Sequence, residues 1–335
     1  MEKARIAVVG LGNIAQTIHL PILTKLPDAE VVAVCDMDKA KARFIAEKLN
    51  VPRWYDNYEE MLEAEDDLAG VDVCASTFAH KEIAIAALEQ KRHVLVEKPL
   101  ARTEKEATEI VTASKKHQRQ VMVGMNSRFR PDAMILRSFI EGGELGKIYY
   151  AKAGWFKRIS VANPWFTRKE QSGGGVVLDL GIVMFDLAFW MMGYPAVKEV
   201  IAANYSHNAK GVEDSSVVFI RMKNESTITI ESSWSFESTQ DFFYCDVFGT
   251  EGSGSLNPFR ILKRMHGNLV NVAPATSETP QSLYRKSYEN ELRHWVGSLR
   301  GLHKFISTGE EAIHRMRIVD AIYKSAKTGK SARLV

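Results

Sequence analysis

Cysteine is scarce: Cys35, Cys74 and Cys245 are the only three in 335 residues, and no C-x-x-C pair occurs. An odd, scattered set excludes a disulfide-stapled scaffold and suits a reducing cytoplasm. No run approaches the ~18–20 consecutive apolar residues that a membrane-spanning helix needs. Met1–Arg5 leads straight into a strand-like segment rather than a secretory leader. Blocks of five like charges are absent, and the formal net charge is only +3, which excludes a basic arm for nucleic acid or an anionic membrane. What remains is an ordinary globular composition, 45% hydrophobic and 25% charged. The length suggests two domains of roughly 100–200 residues each.

Short apolar runs recur through the first third: Arg5–Val9, Val31–Cys35, Val71–Ala75, His93–Val96 and Val121–Gly124. Segments of helical periodicity separate them, Lys39–Leu49, Ile83–Leu88 and Glu104–His117 among them. Continuous apolar strands joined by helices predict a doubly wound parallel sheet, because parallel strands need crossover connections. The predicted domain covers residues 1–124. From 125 to 335 the pattern changes to strand candidates at Ile148–Trp155, Val197–Tyr205, Ser215–Met222, Thr227–Trp234 and Phe242–Phe248, with short polar turns between some of them. This second domain is expected to be α/β with a mostly antiparallel sheet. A helix at Val183–Met192 stops at Gly193-Tyr194-Pro195. Helices near Tyr288–Leu299 and Glu310–Thr328 close the chain, free to pack back on the first domain.

Three clusters suggest chemistry. Gly10-Leu11-Gly12-Asn13-Ile14-Ala15 is a G-x-G-x-x-A between a strand and a helix. Gly10 permits a tight turn, Gly12 lets backbone amides approach a pyrophosphate, and the helix start through Asn13 and Ile14 favours its charge. Asp36 ends the next strand, placed to accept hydrogen bonds from an adenosine ribose and to repel a 2′-phosphate. The expected cofactor is therefore NAD rather than NADP. Glu97-Lys98-Pro99 follows a parallel strand, where open α/β sheets bind ligands. Oxidation of an alcohol needs a group to take the hydroxyl proton, and burial beside a positive nicotinamide would lower a lysine towards that task. The same tripeptide also reads as a solvated turn. Ser172–Gly181 carries three successive glycines and Asp179, which either begins a helix or orients a substrate hydroxyl. Trp155, Phe156 and Trp165 could line a sugar pocket or pack in a core. Glu291–His294 and Glu311–His314 are both E-x-x-H, but the four long helices of a di-iron bundle are missing from the pattern, and no metal site is expected. His19, His207 and His266 have no partner at metal-ligand spacing.

Gly10–Ala15, Glu97-Lys98-Pro99, the Gly173–Asp179 run and the segment Asn126-Ser127-Arg128-Phe129 together resemble the family of glucose–fructose oxidoreductase, inositol dehydrogenase and the protein MocA. The resemblance implies an N-terminal Rossmann domain and a C-terminal α/β domain whose large open sheet forms a homodimer or homotetramer. It implies an NAD-dependent oxidoreductase acting on a sugar, polyol or sugar derivative. Lys98 would match the catalytic lysine and Asp179 the substrate-side aspartate. Asn126 would face nicotinamide and substrate, and Glu97 and Thr77 would lie at the cofactor. Two departures stand out. The family's D-x-G-x-H reads Asp179-Leu180-Gly181-Ile182-Val183 here, so valine takes a substrate-side position where it can move no proton. Ser76–His80 replaces a longer loop near the cofactor. Val183 leaves open a non-catalytic, regulatory NAD-binding homologue, and a third option is a glycoside hydrolase that retains its NAD.

Overall fold

Six parallel strands form the first sheet: β1 (Ala4–Val9), β2 (Ala29–Cys35), β3 (Arg53–Tyr55), β4 (Gly70–Val73), β5 (His93–Glu97) and β6 (Val121–Gly124). The computed structural model describes residues 2–157, 165–275 and 278–334. Its chain divides into two units, residues 1–126 with 285–314, and 127–284 with 315–335.

The order of the first sheet is β3-β2-β1-β4-β5-β6. The order of strands reverses between β1 and β4, the switch point beyond which ligands bind in such sheets. β4 and β6 are buried throughout, as continuous apolar strands covered on both faces should be. A Cβ on Gly70 would lie 3.0 Å from Trp295 and from Leu299, so glycine lets the helix ending at Leu299 sit directly on the sheet. β3 has no apolar run to announce it; it is a three-residue, partly exposed edge strand.

The second unit is built on nine strands: β7 (Ile148–Phe156), β8 (Val197–Tyr205), β9 (Ser215–Met222), β10 (Thr227–Ser233), β11 (Phe242–Gly249), β12 (Gly252–Leu256), β13 (Phe259–Met265), β14 (Asn268–Asn271) and β15 (Ala332–Arg333). Their order is β14-β13-β12-β11-β7-β10-β9-β8-β15, and every pairing is antiparallel except β7 with β10. One face packs on the helix Ile182–Met192, whose side chains are almost all buried. Asp186 on that helix is buried too, where the Arg128 and Arg315 guanidiniums hold its carboxyl below the usual range despite its burial. Arg128 of the N-x-R-F segment is thus a core ion-pair residue. Among the described residues the helical run Lys169–Met192 is, by length and composition, long and apolar enough to cross a membrane, yet Asp179 and Asp186 interrupt it and 83% of its apolar window is buried inside the protein. Alternation with small and polar residues hides such a run from a search for unbroken apolar stretches.

Candidate functional site

The glycine turn after β1 is shaped by two different demands. Gly10 has φ +90°, and a Cβ there would lie 2.4 Å from the Ala75 nitrogen at the end of β4. Its N–H donates to Cys35 O over 2.8 Å, which ties the turn to the end of β2. Gly12 is the opposite case: among the described residues a Cβ there would meet nothing within 4 Å. Gly12 and Asn13 are exposed and Ile14 half-buried, at the start of a helix whose first amides have no intrahelical acceptor. Ala15–His19 then winds as a π-helix, and Pro21 restarts an ordinary helix at Leu20–Leu23.

Asp36 faces this turn. Its Oδ2 accepts the Leu11 N–H at 2.8 Å, and its Oδ1 accepts the Asp38 N–H at 2.9 Å and the Lys41 ammonium at 3.0 Å. A carboxylate held against the glycine turn, with open space at Gly12, fits the ribose and pyrophosphate of a dinucleotide. Lys41 was invisible as a partner in the sequence, although its offset of five residues was available.

Thr77 is buried at the first position of the helix Thr77–Glu89, directly beyond β4. His80 on that helix places its ring nitrogens 2.9 Å from Pro99 O and 2.9 Å from Ala75 O, linking two strand ends. Burial pushes the His80 ring below its ordinary value. Glu97 ends β5, and Lys98 is the next residue, half-buried. Asn126 follows β6 and donates from Nδ2 to Ser287 Oγ at 2.8 Å. Gly10, Thr77, Lys98 and Asn126 therefore all lie at the carboxyl ends of strands of one sheet.

In the second unit Asp179 lies within a second π-helical stretch, Val177–Gly181. Its Oδ2 accepts the Trp234 indole N–H at 3.0 Å. The glycines before it serve the chain itself. A Cβ on Gly175 would lie 1.9 Å from Glu213 O, and one on Gly174 would lie 1.9 Å from the Tyr323 hydroxyl. Glu213 Oε1 accepts the N–H groups of Gly175 and Val177 and the Tyr323 hydroxyl. Burial nevertheless raises the Glu213 carboxyl above its ordinary value. Val183 is 2% exposed. Trp165 is half-buried and stacked on Phe166, whereas Trp155 packs on the cluster of Val176, Leu180, Val212 and Trp234. His266 occupies the exposed turn between β13 and β14.

Residues 4–125 match the family model described as an oxidoreductase family with an NAD-binding Rossmann fold, and residues 137–334 match that family's C-terminal alpha/beta domain. The chain belongs to the Gfo/Idh/MocA oxidoreductase family. This family member is 29% identical to the D-glucoside 3-dehydrogenase of Escherichia coli K12, over 98% of the chain and 97% of the relative. It is 28% identical to the myo-inositol 2-dehydrogenase of Thermotoga maritima, over 98% of each. Its fold superposes on the crystal structure of a probable dehydrogenase from Thermotoga maritima with a TM-score of 0.84 and 26% identity, covering 98% of each chain.

Proposed function

We propose that this oxidoreductase interconverts a secondary hydroxyl and a ketone on a sugar, polyol or sugar derivative, with NAD as redox partner. The observation that carries the reading is the grouping of the Gly10–Ile14 turn, Asp36 and Lys98 at the switch-point end of one parallel sheet. NAD supplies the hydride-accepting ring. Gly10, Gly12, Asn13 and Ile14 receive the pyrophosphate, Asp36 the adenosine ribose, and Thr77, Glu97 and Asn126 the remainder of the nucleotide. Lys98 takes the hydroxyl proton in oxidation and returns it in reduction. Asp179, Trp165 and Val183 belong to the substrate side, with the Trp234 N–H fixing the Asp179 carboxylate.

NADH absorbance with a panel containing methyl glucosides and myo-inositol tests this. Lys98→Met should lower kcat by ~10²–10⁴-fold while NAD affinity stays within a few-fold; retained kcat would remove the lysine from the chemistry. Val183 favours one second reading, a regulatory NAD-binding protein, because a buried valine offers no proton. Micromolar NAD binding without NADH formation on any panel member would select it.

The outer face of the second sheet supports a homodimer or homotetramer. Ile201 and Val217 are 49% and 50% exposed, and Ile201 stands opposite Phe219 and Tyr150 opposite Phe248 on paired strands. Exposed apolar side chains on a sheet face, beside charged neighbours such as Lys152 and Asp246, are the composition of an interaction surface. Light scattering after size exclusion should give a multiple of the chain mass; a monomer at micromolar concentration would reject it. Cys35, Cys74 and Cys245 are buried free thiols, in keeping with a reducing, cytoplasmic setting.

A further inference from the structure

His19 and Asp72, buried in the first unit, have no task in the proposed reaction. His19 has no exposed surface, and its two ring nitrogens meet two carboxylates: Nδ1 is 2.8 Å from Asp72 Oδ2, and Nε2 is 3.0 Å from Glu97 Oε1. Glu97 Oε2 accepts the backbone N–H of Lys98 at 3.1 Å. Carboxylate oxygens only accept, so an imidazole between two of them satisfies both by carrying a proton on each nitrogen. Burial is the largest single influence and opposes that cation, but Asp72 and Cys74 together outweigh it and hold His19 well above the ordinary imidazole value. Burial likewise works to raise Glu97, and the hydrogen bond and charge of His19, with the Lys98 ammonium, bring it below the usual carboxylate value.

The other groups facing Glu97 add little compensating charge. Glu291 is fully buried on the helix Pro280–Leu299. Burial, and after it the Glu97 charge, push its carboxyl well above the ordinary value. Burial also drives the Cys74 thiol up, leaving it uncharged 3.4 Å from His19 Nδ1, and keeps His80 neutral.

We infer that Asp72 and His19 are positioning residues that keep Glu97 an anion at the base of Lys98, so that Lys98 stays an ammonium until the solution is alkaline. This rests on Lys98 being the acid–base group proposed above. A fixed anion works against the lowering that burial and a positive ring would impose on the lysine. Ketone reduction, which needs the ammonium as proton donor, would then run at neutral pH. Hydroxyl oxidation, which needs the free amine, would quicken as the pH rises.

Competitive labelling of amines with acetic anhydride across pH, read at Lys98 by mass spectrometry on the full chain with NAD bound, measures this ionisation without a substrate. Glu97→Gln is expected to move the Lys98 midpoint down by about one unit or more, the usual effect of losing an adjacent opposite charge. His19→Gln keeps a donor to Glu97 but removes the cation, so the buried carboxyl takes a proton and the midpoint also falls. The double variant should move no further than either single one. An unmoved midpoint in Glu97→Gln, or an upward move in His19→Gln, overturns the inference. Should the variants not fold, ¹⁵N spectra of histidine-labelled native protein provide the reading. His19 is expected to show two protonated nitrogens well above neutral pH, and a single-proton tautomer at neutrality overturns the inference. Turnover of Lys98→Met separates the two levels. Its loss beside an unmoved midpoint defeats this inference alone, whereas its retention defeats the acid–base role of the lysine.

Discussion

Two glycine-rich turns, one in each unit, look alike in sequence and do opposite work. After β1, Gly12 leaves a space that none of the described residues fills; before Asp179, Gly175 leaves a space that Glu213 O already occupies. On the proposed reading the first glycine makes room for a ligand, whereas the second makes room for the protein's own backbone. Both turns enter π-helical stretches, Ala15–His19 and Val177–Gly181. Such stretches are rare and concentrate at functional sites, because the extra residue per turn re-aims a side chain. Here they deliver His19 and Asp179. A run of glycines therefore marks a close approach without saying to what.

Substitutions at the two turns should separate these roles, and the largest effect belongs to Gly175. Gly175→Ala forces backbone apart in a packed core and should cost about 3 kcal/mol or more, read as a fall of several degrees in Tm; an unchanged Tm would mean the approach to Glu213 is not real. Gly12→Ala should leave folding within about 0.5 kcal/mol, yet weaken NAD binding by about tenfold or more through one misplaced methyl group. Calorimetric titration checks it, and undiminished affinity would place the pyrophosphate elsewhere. A smaller, more selective change is expected at Asp36. Losing its hydrogen bonds to the ribose should cost NAD roughly 1.5–3 kcal/mol and NADP much less, so Asp36→Ala narrows the preference between them. Equal losses for both coenzymes would count against the ribose role.

The strands of the first sheet were legible because each parallel strand buried on both faces is a short unbroken apolar run, Ile6–Val9 being typical. Arg53–Tyr55 escaped because an edge strand of three half-exposed residues needs no such run. In the second sheet Gly252–Leu256 and Asn268–Asn271 escaped for a similar reason: glycine, serine and exposed residues give no alternation to read. The Gly10–Ala15 turn, Asp36 and Lys98 were visible as motifs at the ends of β1, β2 and β5. His19 was not, since its partners Asp72 and Glu97 stand 53 and 78 residues away. The same holds for Trp234, which reaches Asp179 across 55 residues.

Local pattern alone determined the alternating strands and helices of the first unit, the switch to a second sheet, the nucleotide turn and the lysine after β5, since each depends on neighbours within a few positions. Tertiary structure alone decided that Gly175 answers to Glu213, that Arg128 pairs with Asp186, and that His19 lies between two carboxylates. Close approach and ionisation depend on which distant groups share a space from which water is excluded, and a linear sequence does not record that distance.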